Sequence, residues 1–270
     1  MDIRSILYRY PLGSYFALAF GISWGGILIY LASMGFQFDH IQMEEGLILF
    51  FLMLLGPSIS GLTLTALLDG RRGLSELAAR LQNWRVGGHW YIVALLTVPS
   101  LVLIILTVMS RIVSPLFAPS FNFIGLVIGF LAGGVEELGW TGFATPRLLE
   151  KHRPIQASFI LGLLWSLWHA LADFSGNIHS MGLSEWFLWF IVYWILPLTA
   201  YRILMTWVYF NTRSLLVGQL MHASYTGWLF TLTPAASGLG VVWQAIFAAS
   251  LWAFAAVIVL MRGWRLDHAR

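Results

Sequence analysis

Apolar stretches long enough to cross a lipid bilayer recur throughout this chain, and they dominate what it can fold into. A helix needs about 20 apolar residues to cross a hydrocarbon core of about 30 Å. Runs of that kind occupy 12–34, 46–68, 90–112, 122–146, 155–173, 186–209, 213–231 and 241–262. Hydrophobic residues make up 59% of the chain and charged residues 10%, against about 45–50% and about 25% in soluble domains. Too few charges remain to coat a globular surface. The expected fold class is all-α: a polytopic membrane protein whose eight-helix bundle forms a single domain over residues 1–270. No repeat, linker or low-complexity segment divides it.

The few charges set the topology. The net charge is +3, and no basic cluster exceeds two adjacent arginines, so the expected partner is the lipid bilayer and not nucleic acid. Arg4, Arg9, Arg71, Arg72, Arg80, Arg85, Arg147, Lys151, Arg153, Arg213, Arg262, Arg265 and Arg270 fall on one side of the eight-span arrangement. The opposite loops hold Asp39, Glu44, Glu45, Asp173 and Glu185, with Arg111 near that surface. Basic residues mark the cytoplasmic side, which puts both termini in the cytoplasm. Arg202, inside the sixth run, is expected to snorkel toward the basic side. Leu74, Leu77, Leu81 and Trp84 recur at helical spacing between the second and third runs, which predicts a short amphipathic helix at the cytoplasmic interface. Cysteine is absent, which excludes disulfides, thiolate metal sites and a cysteine nucleophile. The first apolar run follows Arg4 and Arg9 but has no convincing cleavage site, so it reads as a retained helix.

An ionisable residue inside a membrane helix costs at least about 2.5–3.5 kcal/mol and asks for a reason. Four stand out: Glu136 and Glu137 in the fourth run, His169 in the fifth and His222 in the seventh. Neighbours on a helix differ by about 100°, so only one glutamate can point straight into a given site. The midpoint between Glu136 and His169 falls between His152 and Arg153, just before Pro154, where a new helix can begin. Antiparallel helices turning there bring Glu136 and His169 to one depth, roughly 16–25 Å of helix from the basic connector. His222 lies about 14 Å of helix beyond Arg213, with Thr226 on the same face one turn later. One carboxylate and two histidines at similar depth on three helices form a catalytic or metal-binding set. Gly125, Gly129 and Gly133 make a row that lets helices approach closely. That row continues to Glu137 and Thr141, leaving Trp140 and Phe143 nearest Glu136.

The segments VEELGWTGFATPRL, LLWSLWHALADF and GQLMHASYTG resemble the CPBP/Abi family of intramembrane proteases, which includes the type II CAAX prenyl endopeptidases. The core of the resemblance covers about 122–231. Glu136 and Glu137 match the paired glutamates of the family's EExxxR motif, His169 the histidine of FxxxH, and His222 the histidine of HxxxN. Thr141 stands in place of the motif's arginine, Trp165 in place of its phenylalanine, and Thr226 in place of its asparagine. The missing arginine leaves Glu137 without its usual charge partner. By this resemblance Glu136 and His169 activate water for attack on a peptide carbonyl, while His222 and Thr226 stabilise the oxyanion. Glu137, Thr141 and Trp165 support them. The resemblance implies a multi-pass protein of a cell membrane, taken as bacterial. Its substrate would be a peptide or protein, either prenylated or embedded in the membrane.

Glu136, His169 and His222 could hold zinc or another divalent metal, yet the same groups suffice for metal-free water activation. A catalytically silent family member acting as a membrane scaffold or immunity factor is an alternative, because Thr141 and Thr226 depart from the motifs. A proton-coupled transporter is another, because intramembrane Glu and His also build proton relays. A rhomboid-type serine mechanism through Ser58 or Ser60 lacks its GxSG element.

Overall fold

The computed structural model describes residues 2–36, 41, 43–235 and 240–261; Asp39, Arg262, Arg265 and Arg270 of the charge pattern lie outside the described residues. The chain forms α1 (Ile3–Arg9), α2 (Pro11–Ser33), α3 (Met43–Leu81), α4 (Gly88–Ile112), β1 (Pro119–Phe121), α5 (Ile124–Gly139), α6 (Thr145–Lys151) and α7 (Pro154–Trp168). These are followed by α8 (Ala170–Asn177), α9 (Leu183–Phe190), α10 (Leu196–Thr212), α11 (Leu215–Thr231), β2 (Leu232–Pro234) and α12 (Gly240–Met261). Large apolar side chains such as Ile29, Ile92 and Ile104 face outward, as a hydrocarbon surrounding favours. Polytopic, predominantly helical architecture is what the apolar runs predict; the short β1 and β2 are an addition to it.

Among the described residues, seven segments are long and apolar enough to cross a membrane: Pro11–Ser33, Glu44–Leu81, Gly88–Ile112, Ile124–Lys151, Pro154–Asn177, Leu183–Thr212 and Gly240–Met261. The predicted seventh run coincides with α11, which has only 17 residues. Eight is therefore an approximate count. The hairpin turn falls where the arithmetic puts it, between Lys151 and Pro154, with Pro154 at the first position of α7.

The second span ends close to where its apolar run does: the backbone at Gly70 (φ 62°, ψ −151°) is not helical, a conformation glycine adopts without steric cost, so α3 is two helices joined at a kink. The short helix expected between the second and third runs is the one that follows this kink and ends at Leu81. Leu77 is buried while Leu74 and Trp84 are exposed. Its Arg80 turns into the bundle and donates to Tyr209 Oη at 2.8 Å and to the Gly142 carbonyl at 2.9 Å. Trp140–Ala144 and Ile191–Ile195 are π-helical turns, which insert a residue into the helical register and often mark functional sites. That shift carries Phe143 to Tyr15, with ring centroids 5.1 Å apart, and beneath the Arg147 guanidinium. β1 and β2 pair antiparallel, Ser120 opposite Thr233, and tie the start of α5 to the end of α11.

Candidate active site

The glycine row determines how α5 meets α11. A Cβ on Gly129 would lie 2.2 Å from Gly227 Cα, and one on Gly133 would lie 2.3 Å from the Ala223 backbone nitrogen. Only glycine lets the two backbones approach this closely. Since Glu137 continues that row, it too faces α11, where His222 Nδ1 donates to Glu137 Oε1 at 2.9 Å. The proton sits on Nδ1 because the carboxylate can only accept, which leaves Nε2 as the free nitrogen.

Glu136, about 100° around the helix, points elsewhere. Its Oε2 accepts from Trp140 Nε1 at 3.2 Å and from Trp165 Nε1 at 3.1 Å. Tryptophan at 165 therefore supplies a donor that phenylalanine lacks. His222 Nε2 lies 4.0 Å from Glu136 Oε2, too far for a direct hydrogen bond. His169 sits at the junction of α7 and α8 and donates from Nδ1 to the Trp165 carbonyl at 2.8 Å, so its Nε2 is free as well. The His169 ring stacks on Trp194, with centroids 3.9 Å apart and planes 20° apart. Trp194 belongs to the second π turn.

A cavity of about 220 Å³ is lined by Glu136, Trp165, His169, His222 and Thr226, with Leu49, Met53, Ala132 and Leu198 among its apolar walls. The structure thus brings these five to one space. Glu137 and Thr141 stand behind it, fully buried and hydrogen-bonded to each other.

The expectation for Arg202 fails. It does not snorkel: its relative exposure is 0%. It donates from Nη2 to Glu137 Oε1 at 2.9 Å, and from Nη1 to Glu137 Oε2 at 3.1 Å and Thr141 Oγ1 at 3.3 Å. Its guanidinium also lies 4.1 Å from the Trp165 ring centroid. Glu137 is therefore not left without a charge partner; α10 provides the cation that position 141 lacks. The physical reason is cost. A buried carboxylate that accepts from His222 attracts a guanidinium able to bind both its oxygens, and this outweighs solvation at the membrane surface.

Asp173 is likewise not in a loop. It lies within α8 and lines the cavity, accepting from Trp186 Nε1 at 2.9 Å, Trp194 Nε1 at 2.7 Å and Trp189 Nε1 at 3.4 Å. Helix continues beyond the apolar run to Asn177, and these indoles satisfy the carboxylate within it. The signal was available: Asp173 closes the fifth apolar run, and an ionisable residue there asks for partners. For Trp194 the sequence carries no comparable signal.

Zinc is bound by carboxylate and imidazole ligands such as these. Among the described residues, however, no three His, Cys, Asp or Glu side chains stand together in a way that could hold a metal ion. The donor set as arranged does not fit a metal centre.

Residues 118–228 match the family of type II CAAX prenyl endopeptidases described as Rce1-like. A CAAX prenyl protease 2 of Methanococcus maripaludis is 30% identical over 98 residues. That alignment covers 36% of this chain and 36% of the archaeal protein.

Proposed function

We propose that this chain, whose residues 118–228 are Rce1-like, is an intramembrane endopeptidase acting on a membrane-associated peptide. The observation that carries this reading is the cavity onto which Glu136, His169 and His222 open together. The free Nε2 of both histidines supports it.

In this reading a water lies between Glu136 and His169 Nε2. Glu136 takes a proton as the water oxygen bonds to the peptide carbonyl carbon, the ordinary role of a positioned carboxylate base. The carbonyl oxygen becomes an oxyanion facing the Thr226 hydroxyl and His222 Nε2, which can donate there when His222 is protonated at both nitrogens. Donors aimed at developing charge are often the largest single contribution. The C–N bond then breaks, and the proton held by Glu136 passes to the leaving amine. Glu137 and Arg202 hold His222 in orientation. Both termini are cytoplasmic in this arrangement, and the 1–270 chain acts as one membrane domain with its catalytic core near 122–231.

The test is a quenched-peptide library incubated with purified protein in detergent. Wild type should cleave, and Glu136→Gln should lower kcat by about 10²–10⁴-fold, the usual worth of a general base. His169→Ala should be similarly impaired. Chelator treatment should leave the rate unchanged. Cleavage surviving Glu136→Gln would overturn the water-activation mechanism, and no cleavage by wild type would favour the silent-scaffold reading.

A further inference from the structure

His169 needs more than its one hydrogen bond to be aimed. Its Nδ1 donates to the Trp165 carbonyl, but the last torsion of a histidine side chain is broad. The ring plane is set by a second contact. Trp194 lies face to face with the imidazole, with centroids 3.9 Å apart and planes 20° apart. Trp168 touches the same ring edge-on, at 80°, so the flat support comes from Trp194.

Trp194 is itself held at both ends. Its carbonyl accepts from Ser166 Oγ at 3.1 Å, and its indole Nε1 donates to Asp173 Oδ2 at 2.7 Å. Ser166, His169 and Asp173 follow one another at spacings of three and four, which puts them on one stripe along α7 and α8. All three meet this one tryptophan, which belongs to the π turn Ile191–Ile195. Asp173 has no capacity left for a reaction of its own. A carboxylate offers about four acceptor sites. Asp173 receives the indoles of Trp186, Trp194 and Trp189, and the Asn177 amide at 3.2 Å. It borders the cavity as an anchor, not as a base.

We infer that Trp194 is a positioning residue for His169, clamping the imidazole so that its free Nε2 is aimed at the reacting water, and that Asp173 acts on the reaction only through Trp194. This deepens the endopeptidase reading and rests on it. The clamp works before the peptide arrives, by removing the ring's freedom to turn. Misplacing a reacting group by a small distance costs up to about 10²-fold in rate, which sets the size of the effect. Trp194 also borders the cavity, so kinetics must separate clamping from contact with the substrate.

Trp194→Leu removes the flat ring and keeps apolar bulk, whereas Trp194→Phe keeps a ring and removes the N–H. On a cleavable peptide, Trp194→Leu should lower kcat by roughly 10²-fold and Trp194→Phe by about 10-fold, with KM unchanged in both. A raised KM at unchanged kcat would make Trp194 part of the substrate wall and overturn the inference. Asp173→Asn should lower kcat by itself and lower it no further when added to Trp194→Phe, where the link is already cut. An equal further loss would also overturn it. A second readout follows the ring without any cleavage. Ring-nitrogen NMR of histidine-labelled protein in lipid, with the His169 signal identified by its loss in His169→Gln, should show Nδ1 protonated in wild type. Trp194→Leu should give a mixture of tautomers, and Trp194→Phe a smaller change in the same direction. If Trp194→Leu does not fold, Trp194→Phe and Asp173→Asn carry the same comparisons. An unchanged His169 signal in every variant would overturn the clamp. The expected NMR change in a protein whose wild type cleaves nothing would uphold the clamp and refute the endopeptidase reading. Cleavage indifferent to both Trp194 variants would do the reverse.

Discussion

Arg202→Met isolates the buried ion pair at the centre of the bundle. The substitution removes the cation and keeps a flexible apolar side chain that can fill the space. Glu137 then keeps its contacts with His222 and Thr141 but loses both guanidinium nitrogens, at 2.9 and 3.1 Å. The pair is shielded from solvent, with side-chain exposures of 1% and 0%. Removing one partner of such a pair costs about 3–5 kcal/mol, because an uncompensated charge stays buried. At about 2–4 °C per kcal/mol for a chain of this size, the melting midpoint should fall by roughly 6–20 °C. Thermal unfolding in detergent, followed by intrinsic tryptophan fluorescence, measures it. Adding Glu137→Gln should recover most of the loss, since it removes the stranded carboxylate. A drop under about 1 kcal/mol, the range of an exposed pair, would refute the reasoning. So would a double variant no more stable than Arg202→Met.

Three further outcomes follow from the same contacts. Gly129→Ala should destabilise by about 1–3 kcal/mol, as overpacking does, because its Cβ would lie 2.2 Å from Gly227 backbone; Gly134→Ala, with nothing within 4 Å, should melt like wild type. Asp173→Asn replaces an acceptor facing three indole donors with an amide that can accept through one oxygen only, and should cost about 1–3 kcal/mol in the same thermal assay. Glu137→Gln should lower kcat with little change in KM on a cleavable peptide, because it loosens the orientation of His222 without touching the cavity's apolar wall.

The spans were legible because hydropathy is read along one dimension, and a run of apolar residues needs no partner to announce itself. The turn at His152–Arg153 and the shared depth of Glu136 and His169 followed from a fixed rise per residue. The cavity holding both residues agrees with that arithmetic. Tertiary contacts were less legible. The short helix after Gly70 packs against the bundle through Leu77 and Arg80, and packing of this kind leaves little trace in local composition. The π turns were also hidden. They shift side chains such as Phe143 and Trp194 by a fraction of a turn that a 3.6-residue period does not anticipate.

Arg202 shows where reading in one dimension stops. Its position near the basic end of a membrane run made snorkelling the expected behaviour, since a lone guanidinium in hydrocarbon moves toward water. What reverses that preference is a carboxylate 65 residues away in sequence. The glycine row points that carboxylate at α11, and α10 presents the arginine to the same carboxylate. The row was visible in the sequence, and it already implied that Glu137 faces the helix carrying His222. Glu137 is therefore tied to both His222 and a cation, so its position behind the cavity does not make it mere packing. The adjacent glutamates differ by direction: Glu136 lines the cavity, and Glu137 accepts from the histidine that lines it from another helix.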